Sequence, residues 1–113
     1  MIAVIDASVA APTLFPYEII SAINVAINRK RIKESAGYKA IKYITSLGIG
    51  LRSFNDLIET TFQMARQYGL STYDCAYMAL AKKEKCNLIT GDRKFFSAIR
   101  KHFSWVKWIG DYL

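Results

Sequence analysis

Apolar residues recur along the chain in two ways, as short continuous runs and as longer stretches with helical spacing. Four short runs have the length and the β-branched or aromatic content expected of strands. They are IAVI at 2–5, IGLRSF at 49–54, NLIT at 87–90 and SWVKWI at 104–109. Five longer stretches place apolar residues three and four positions apart, which predicts helices. They span 13–32, 34–48, 55–69, 71–84 and 93–102.

Helices separate every pair of predicted strands, and this order is typical of a parallel sheet wrapped by helices. We therefore predict an α/β fold, a three-layer sandwich with a central, mostly parallel sheet of about four strands. Thr13 is the predicted N-cap of the first helix, and Gly48 and Gly69 are predicted helix ends. No repeat, low-complexity tract or linker is visible, so we expect one domain over residues 1–113.

Composition narrows the class of protein. Hydrophobic residues make up 52% and charged residues 22% of the chain, as in ordinary globular proteins. The apolar runs are too short to span a bilayer, and the N-terminus lacks the basic segment of a signal peptide. Cys75 and Cys86 have no metal-binding or disulfide spacing. We therefore expect a cytoplasmic protein with reduced cysteines.

The net charge of +7 favours a nucleic-acid partner, because each contact with a phosphate releases counterions. The same charge also fits a solvated, lysine-rich surface.

Acidic residues are scarce, 9 against 16 basic residues, yet four of them stand next to predicted apolar elements. Asp6 directly follows the first strand, and Asp92 follows NLIT after one glycine. Because parallel strands gather their working groups at their carboxyl ends, we expect these two carboxylates at one edge of the sheet. Glu18 and Asp74 lie in the first turns of predicted helices.

Each acid also has a purely structural interpretation. Asp6 or Asp92 can act as an N-cap, and Glu18 can complement a helix dipole. Asp74 stands three residues after Ser71, as in a capping box.

Three segments of the chain carry a resemblance to a known family. MIAVIDAS resembles an opening strand that ends in Asp, and APTLFPYEIISAI resembles a turn that opens a helix carrying Glu. The most specific block is ARQYGLSTYDCAYMALAKKEKCNLITGDRKF, with its Tyr-Asp, alanine-rich helix and Thr-x-Asp pattern. In this order the segments resemble the PIN domain family, and most of all the VapC-like toxin ribonucleases of VapBC toxin–antitoxin pairs.

The resemblance implies a metal-dependent ribonuclease whose acids are Asp6, Glu18, Asp74 and Asp92. Asp6 and Asp92 would be the more direct metal ligands, while the other two acids would bind the metal or orient the attacking water. Carboxylates without His or Cys suit Mg²⁺ or Mn²⁺. The resemblance also implies an RNA substrate, a cognate antitoxin and a homodimer.

Five further residues are candidates for supporting roles. Ser8, Ser21 and Thr90 are expected to hold the carboxylates or the water, although Ser8 and Thr90 equally fit ordinary strand-end hydrogen bonds. Arg93 and Lys94 are expected to meet the RNA backbone, or else to be simply exposed.

The chain departs from the family pattern in two places. Ser21 stands where the family usually has Asn, with Asn24 one turn further along. Only 11 residues join Asp6 to Glu18, where the family has a longer, partly helical stretch. We expect either a true deletion or a missing segment near residues 10–11. The alternatives to a toxin are an RNA-maturation nuclease of the same type, a catalytically inactive binding module and an unrelated receiver-like α/β domain.

Overall fold

The computed structural model describes the backbone of residues 2–5 and 8–112 and the side chains of residues 10–112. The strands of this described part are β1 Ile2–Ile5, β2 Ser8–Pro12, β3 Gly50–Arg52, β4 Asn87–Thr90 and β5 Val106–Trp108. Its α-helices are α1 Phe15–Asn28, α2 Glu34–Ser46, α3 Ile58–Tyr68, α4 Thr72–Glu84 and α5 Arg93–Ile99. Two 3-10 helices, Phe54–Asp56 and Ile109–Tyr112, complete these elements. The α/β fold predicted from the sequence is confirmed.

The strands form one sheet in the order β3-β2-β1-β4-β5. β2 pairs with β3 and β4 pairs with β5 in parallel, whereas β1 is antiparallel to both of its neighbours, β2 and β4. Four of the five strands therefore share one direction, and the central strand β1 runs against them.

The direction of β1 corrects one prediction. The register pairs Ile2 with Ile89 and Val4 with Asn87, so β1 ends beside the amino end of β4. The carboxyl ends of these two strands therefore do not meet at one edge of the sheet, as the sequence had suggested. The cause is the two-residue connection between β1 and β2, because a parallel crossover requires a dozen or more residues. Asp6 itself lies outside the described residues.

β2 was not predicted from the sequence. It runs through Ala10 and Ala11, whose partners on β3 are Gly50 and Leu51, and both alanines are buried. Ala10 belongs to the same small hydrophobic cluster as Ala79 and Leu80 of α4, and α4 contacts β2.

The helices lie where the spacing predicted them, with shorter ends. α1 begins after Leu14 without a side-chain cap, so the prediction of Thr13 as N-cap is wrong. α3 ends at Gly69, whose φ of 65° is the left-handed conformation that glycine adopts without strain. A hydrogen bond from the Asp74 N–H to the Ser71 hydroxyl oxygen fixes the start of α4.

α4 is the central element of the core. Its seven residues from Cys75 to Ala81 are all buried, because the helix packs on β1, β2 and β4 and is also covered by α3. Tyr73, in the first turn of this helix, is by contrast 65% exposed. α5 packs against β4 and β5. Among the described helices, none is both long enough and apolar enough to cross a membrane.

Candidate active site

Asp92 lies at the junction between β4 and α5 and is held by the backbone on both sides. Its carboxylate oxygen Oδ1 accepts a hydrogen bond from the Phe95 N–H at 3.0 Å, which caps α5. Its own N–H donates to the hydroxyl oxygen of the buried Thr90, also at 3.0 Å. This is the strand-end hydrogen bond expected from the purely structural interpretation of Thr90, and it orients Asp92. The cap leaves the exposed Asp92 carboxylate a second oxygen for a ligand.

Asp74 lies in the first turn of α4 and is half-buried. Burial raises the pKa of this carboxyl above its usual value, an interaction with the Ser71 side chain partly offsets that rise, and the negative charge of Asp92 raises the pKa further. Asp92 is thus near enough to Asp74 for its charge to act on this carboxyl, although the two residues come from different elements. Their mutual repulsion would be relieved by a cation.

Glu18 reaches the same region from the first turn of α1. Its carboxylate accepts a hydrogen bond from the hydroxyl of Tyr77, a residue of α4 that is only 2% exposed. Burial, Glu18 and Asp74 all raise the pKa of Tyr77, so its hydroxyl remains protonated and continues to donate. Tyr77 stands three residues after Asp74, on the same side of the helix. It therefore links Glu18 to the helix that carries Asp74.

The role of Tyr77 was missed in the sequence. An aromatic residue on an apolar helix face usually packs in a core, and Tyr77 does pack there. Its spacing from Asp74 was the signal that its hydroxyl would emerge beside the acids.

The remaining predicted site residues lie on α1, β2 and α5. Ser21 is exposed on α1 and lines a shallow groove with Asn24 and Glu34; within the described residues it makes no hydrogen bond with Glu18. Ser8 belongs to β2, and its side chain lies outside the description. Arg93 and Lys94 are exposed in the first turn of α5, directly after Asp92.

Cys75 follows Asp74 but is not a suitable nucleophile. Burial, with the Asp74 charge as a smaller cause, raises the pKa of its thiol to about 11. The reactive thiolate is therefore scarce at neutral pH.

An open groove of about 700 Å³ lies between the beginnings of α1 and α4. Its lining includes Tyr17, Phe54 and Tyr73, all three of them exposed. Tyr17 immediately precedes Glu18, and Tyr73 immediately precedes Asp74. The volume is within the range of sites that bind small organic groups.

The three described acids thus come from α1, α4 and the β4–α5 junction. Among the residues whose side chains are described, no group of three or more His, Cys, Asp or Glu has the geometry of a complete metal site. Hard carboxylate ligands nevertheless suit a divalent cation such as Mg²⁺, which is usually held by one or two carboxylates together with waters and substrate phosphates. Asp74 and Asp92 are the candidates for such carboxylates, because the charge of one affects the pKa of the other.

The sequence is similar to one protein family model. The family model of the PIN domain matches residues 3–101, which is most of the chain. No curated protein matches the sequence.

Proposed function

Since the chain belongs to the PIN domain family, whose members are typically nucleases, we propose that it is a metal-dependent endoribonuclease that hydrolyses phosphodiester bonds of RNA. The observation that carries the proposal is the hydrogen bond that links Glu18 of α1 to Tyr77 of α4, the helix that also carries Asp74. Glu18 is bound by the Tyr77 hydroxyl, and Asp74 carries a pKa that is raised in part by Asp92.

In this proposal Asp74 and Asp92 bind Mg²⁺ or Mn²⁺, and Glu18 completes the site or orients the attacking water. When bound, the cation would lower the pKa of a coordinated water and stabilise negative charge on the phosphate. The protein fixes Asp92 through Thr90 and Phe95, and it fixes Glu18 through Tyr77. Asp6, the fourth predicted acid, lies outside the described residues, so its part as a ligand stays a prediction.

The surroundings of the acids suit RNA. Arg93 and Lys94 place positive charge beside Asp92, where a bound phosphate would lie. The groove lined by Tyr17, Phe54 and Tyr73 offers exposed rings on which an unpaired base can stack. The net charge of +7 favours the approach of a polyanion.

A calorimetric titration with Mn²⁺ tests the metal site, with wild type beside Asp92→Asn. We expect the wild type to bind Mn²⁺ and the variant to lose most of that binding. Asp56→Asn is the matched control, because Asp56 is an exposed aspartate whose ion-pair partner is Lys83. This control should bind Mn²⁺ as the wild type does.

Cleavage of RNA in the presence of Mn²⁺ or EDTA then tests the reaction itself. Metal-dependent cleavage that persists in Asp92→Asn would refute the proposed site. No Mn²⁺ binding by the wild type would instead favour the inactive binding module, for which the exposed Ser21 and the reversed β1 are the supporting features.

We further propose that the protein is the toxin of a toxin–antitoxin pair, a cytoplasmic homodimer that a cognate antitoxin inhibits. The support is the resemblance of residues 65–95 to VapC-like toxins. Expression of the chain without a partner should then arrest growth, and Asp92→Asn should relieve the arrest. Normal growth with active enzyme would favour an RNA-maturation nuclease.

A further inference from the structure

Two arginines lie on either side of a pair of aromatic rings on the surface of α5 and β5. The Arg93 guanidinium carbon lies 4.5 Å from the centre of the Trp108 ring. The Trp108 and Phe96 rings are 5.9 Å apart between centroids, and the Arg100 guanidinium carbon lies 5.6 Å from the Phe96 ring. We call these four residues, Arg93, Trp108, Phe96 and Arg100, the arginine ladder.

The ladder follows from the sequence of α5 and its contact with β5. Arg93, Phe96 and Arg100 are three and four positions apart and therefore lie along one side of the helix. The Trp108 ring lies against the backbone at Gly110. A side-chain carbon at this position would collide with the indole. The ladder begins next to Asp92 and extends about 10 Å along the helix, at a rise of about 1.5 Å per residue.

The stacking leaves the hydrogen-bonding edges of both arginines available. A guanidinium contacts a ring through its flat face, while its five N–H groups point outward in the plane and match the oxygens of a phosphate. Both arginines are exposed, and within the described residues neither forms an ion pair with a carboxylate. Stacking also limits the freedom of the side chain, so less entropy is lost when a phosphate binds.

We propose that the arginine ladder binds the phosphate backbone of a single RNA strand and guides it toward the acids at Asp92. This inference rests on the proposed ribonuclease function and adds Arg100 as a phosphate-binding residue remote from the acids. Arg93 would contact a phosphate close to the acids, and Arg100 would contact a phosphate further along the same strand.

The test is the binding of a fluorescein-labelled, short oligouridine, measured by fluorescence anisotropy over a series of KCl concentrations. EDTA is present throughout, so that cleavage does not interfere. We compare the wild type with Arg100→Gln and Arg100→Lys, and with Arg66→Gln as the matched control. Arg66 is an exposed arginine in the last turn of α3 and is not part of the ladder. Thermal melting confirms that each variant is folded.

Arg100→Gln should bind more weakly, and its slope of log affinity against log salt should be shallower by about 0.7, the loss of one contact with a single strand. Arg100→Lys keeps the charge and should keep the slope, yet it should bind less tightly because it lacks the planar stack. Arg66→Gln should retain the wild-type slope. A purely structural role of Arg100 would alter stability without altering the salt slope.

Failure of this inference differs from failure of the proposed function. An unchanged slope in Arg100→Gln, or equal slope changes in Arg100→Gln and Arg66→Gln, would overturn the ladder even if the wild type cleaves RNA. A wild type that does not bind the oligonucleotide at low salt would overturn it as well. The expected slope change in a protein without metal-dependent cleavage would support the ladder and refute the nuclease.

Discussion

Replacement of Tyr77 by phenylalanine should disconnect Glu18 from α4 while leaving the core filled. Tyr77 is 2% exposed and packs in the main hydrophobic cluster, and phenylalanine differs from tyrosine only by the hydroxyl. That hydroxyl donates to the Glu18 carboxylate. A hydrogen bond to a charged group contributes about 1.5–3 kcal/mol to stability. Glu18 is exposed, so water replaces part of the lost contact, and we expect a loss of about 1–2 kcal/mol.

A loss of this size should lower Tm by roughly 4–8 °C in a domain of this length. Urea unfolding of the wild type, Tyr77→Phe, Glu18→Gln and the double variant gives the coupling free energy between the two side chains. Tyr43→Phe is the control for loss of a tyrosine hydroxyl. Tyr43 is 66% exposed on α2, and its substitution should change the free energy of unfolding by no more than about 0.5 kcal/mol.

The measured coupling decides whether the reasoning is right. A coupling free energy below about 0.5 kcal/mol is within the additivity expected of independent sites. Such a value would refute the claim that the Tyr77 hydroxyl holds Glu18. A destabilised Tyr77→Phe without coupling to Glu18 would indicate instead that the hydroxyl has another partner.

Two further substitutions test the electrostatics of the site and the core. Burial is the main cause that raises the pKa of Asp74 above its ordinary value of 3.8. Ionisation of this carboxyl at neutral pH therefore opposes folding. Asp74→Asn should therefore raise Tm at pH 7 while weakening Mn²⁺ binding. The gain in Tm should vanish below about pH 3.8, where the carboxyl is protonated in both the folded and the unfolded state. The control Asp56→Asn loses only a weak ion pair and should give no gain in Tm. Leu80→Ala should cost about 2–5 kcal/mol in urea unfolding, because Leu80 is fully buried in α4. The 53% exposed Leu47 is its control, and a similar cost for Leu47→Ala would contradict the assigned core.

Positions with strong local preferences could be predicted from the sequence. Gly69 ends α3 in a left-handed conformation, and Ser71 caps α4 through the Asp74 N–H. The apolar runs at 2–5 and 87–90 form β1 and β4 with the predicted bounds. Each of these features depends on a few neighbouring residues, and for that reason it can be predicted from the sequence.

The direction of β1 depended on a strand that the pattern did not reveal. Residues 8–12 contain two alanines and a proline, which are poor strand formers, and only their pairing with β1 and β3 makes them a strand. Once that strand exists, the two-residue connection requires a hairpin and reverses β1.

The candidate site was predictable in its residue types but not in its geometry. The scarcity of acids and their positions beside apolar elements indicated Glu18, Asp74 and Asp92. The hydrogen bond between Glu18 and Tyr77 joins α1 to α4 across 59 positions of the chain, and only tertiary packing determines such a contact.

The central position of β1 also affects how the chain folds during synthesis. The hairpin of β1 and β2 is local and can form within about 1–10 μs. The other edge of β1 pairs with β4, near the far end of the chain. At ribosomal rates of about 5–20 residues per second, the backbone groups of that edge remain unpaired for several seconds until β4 is synthesised. Since an unpaired strand edge can template aggregation, the nascent chain should be most vulnerable to misassembly until residues 87–90 emerge.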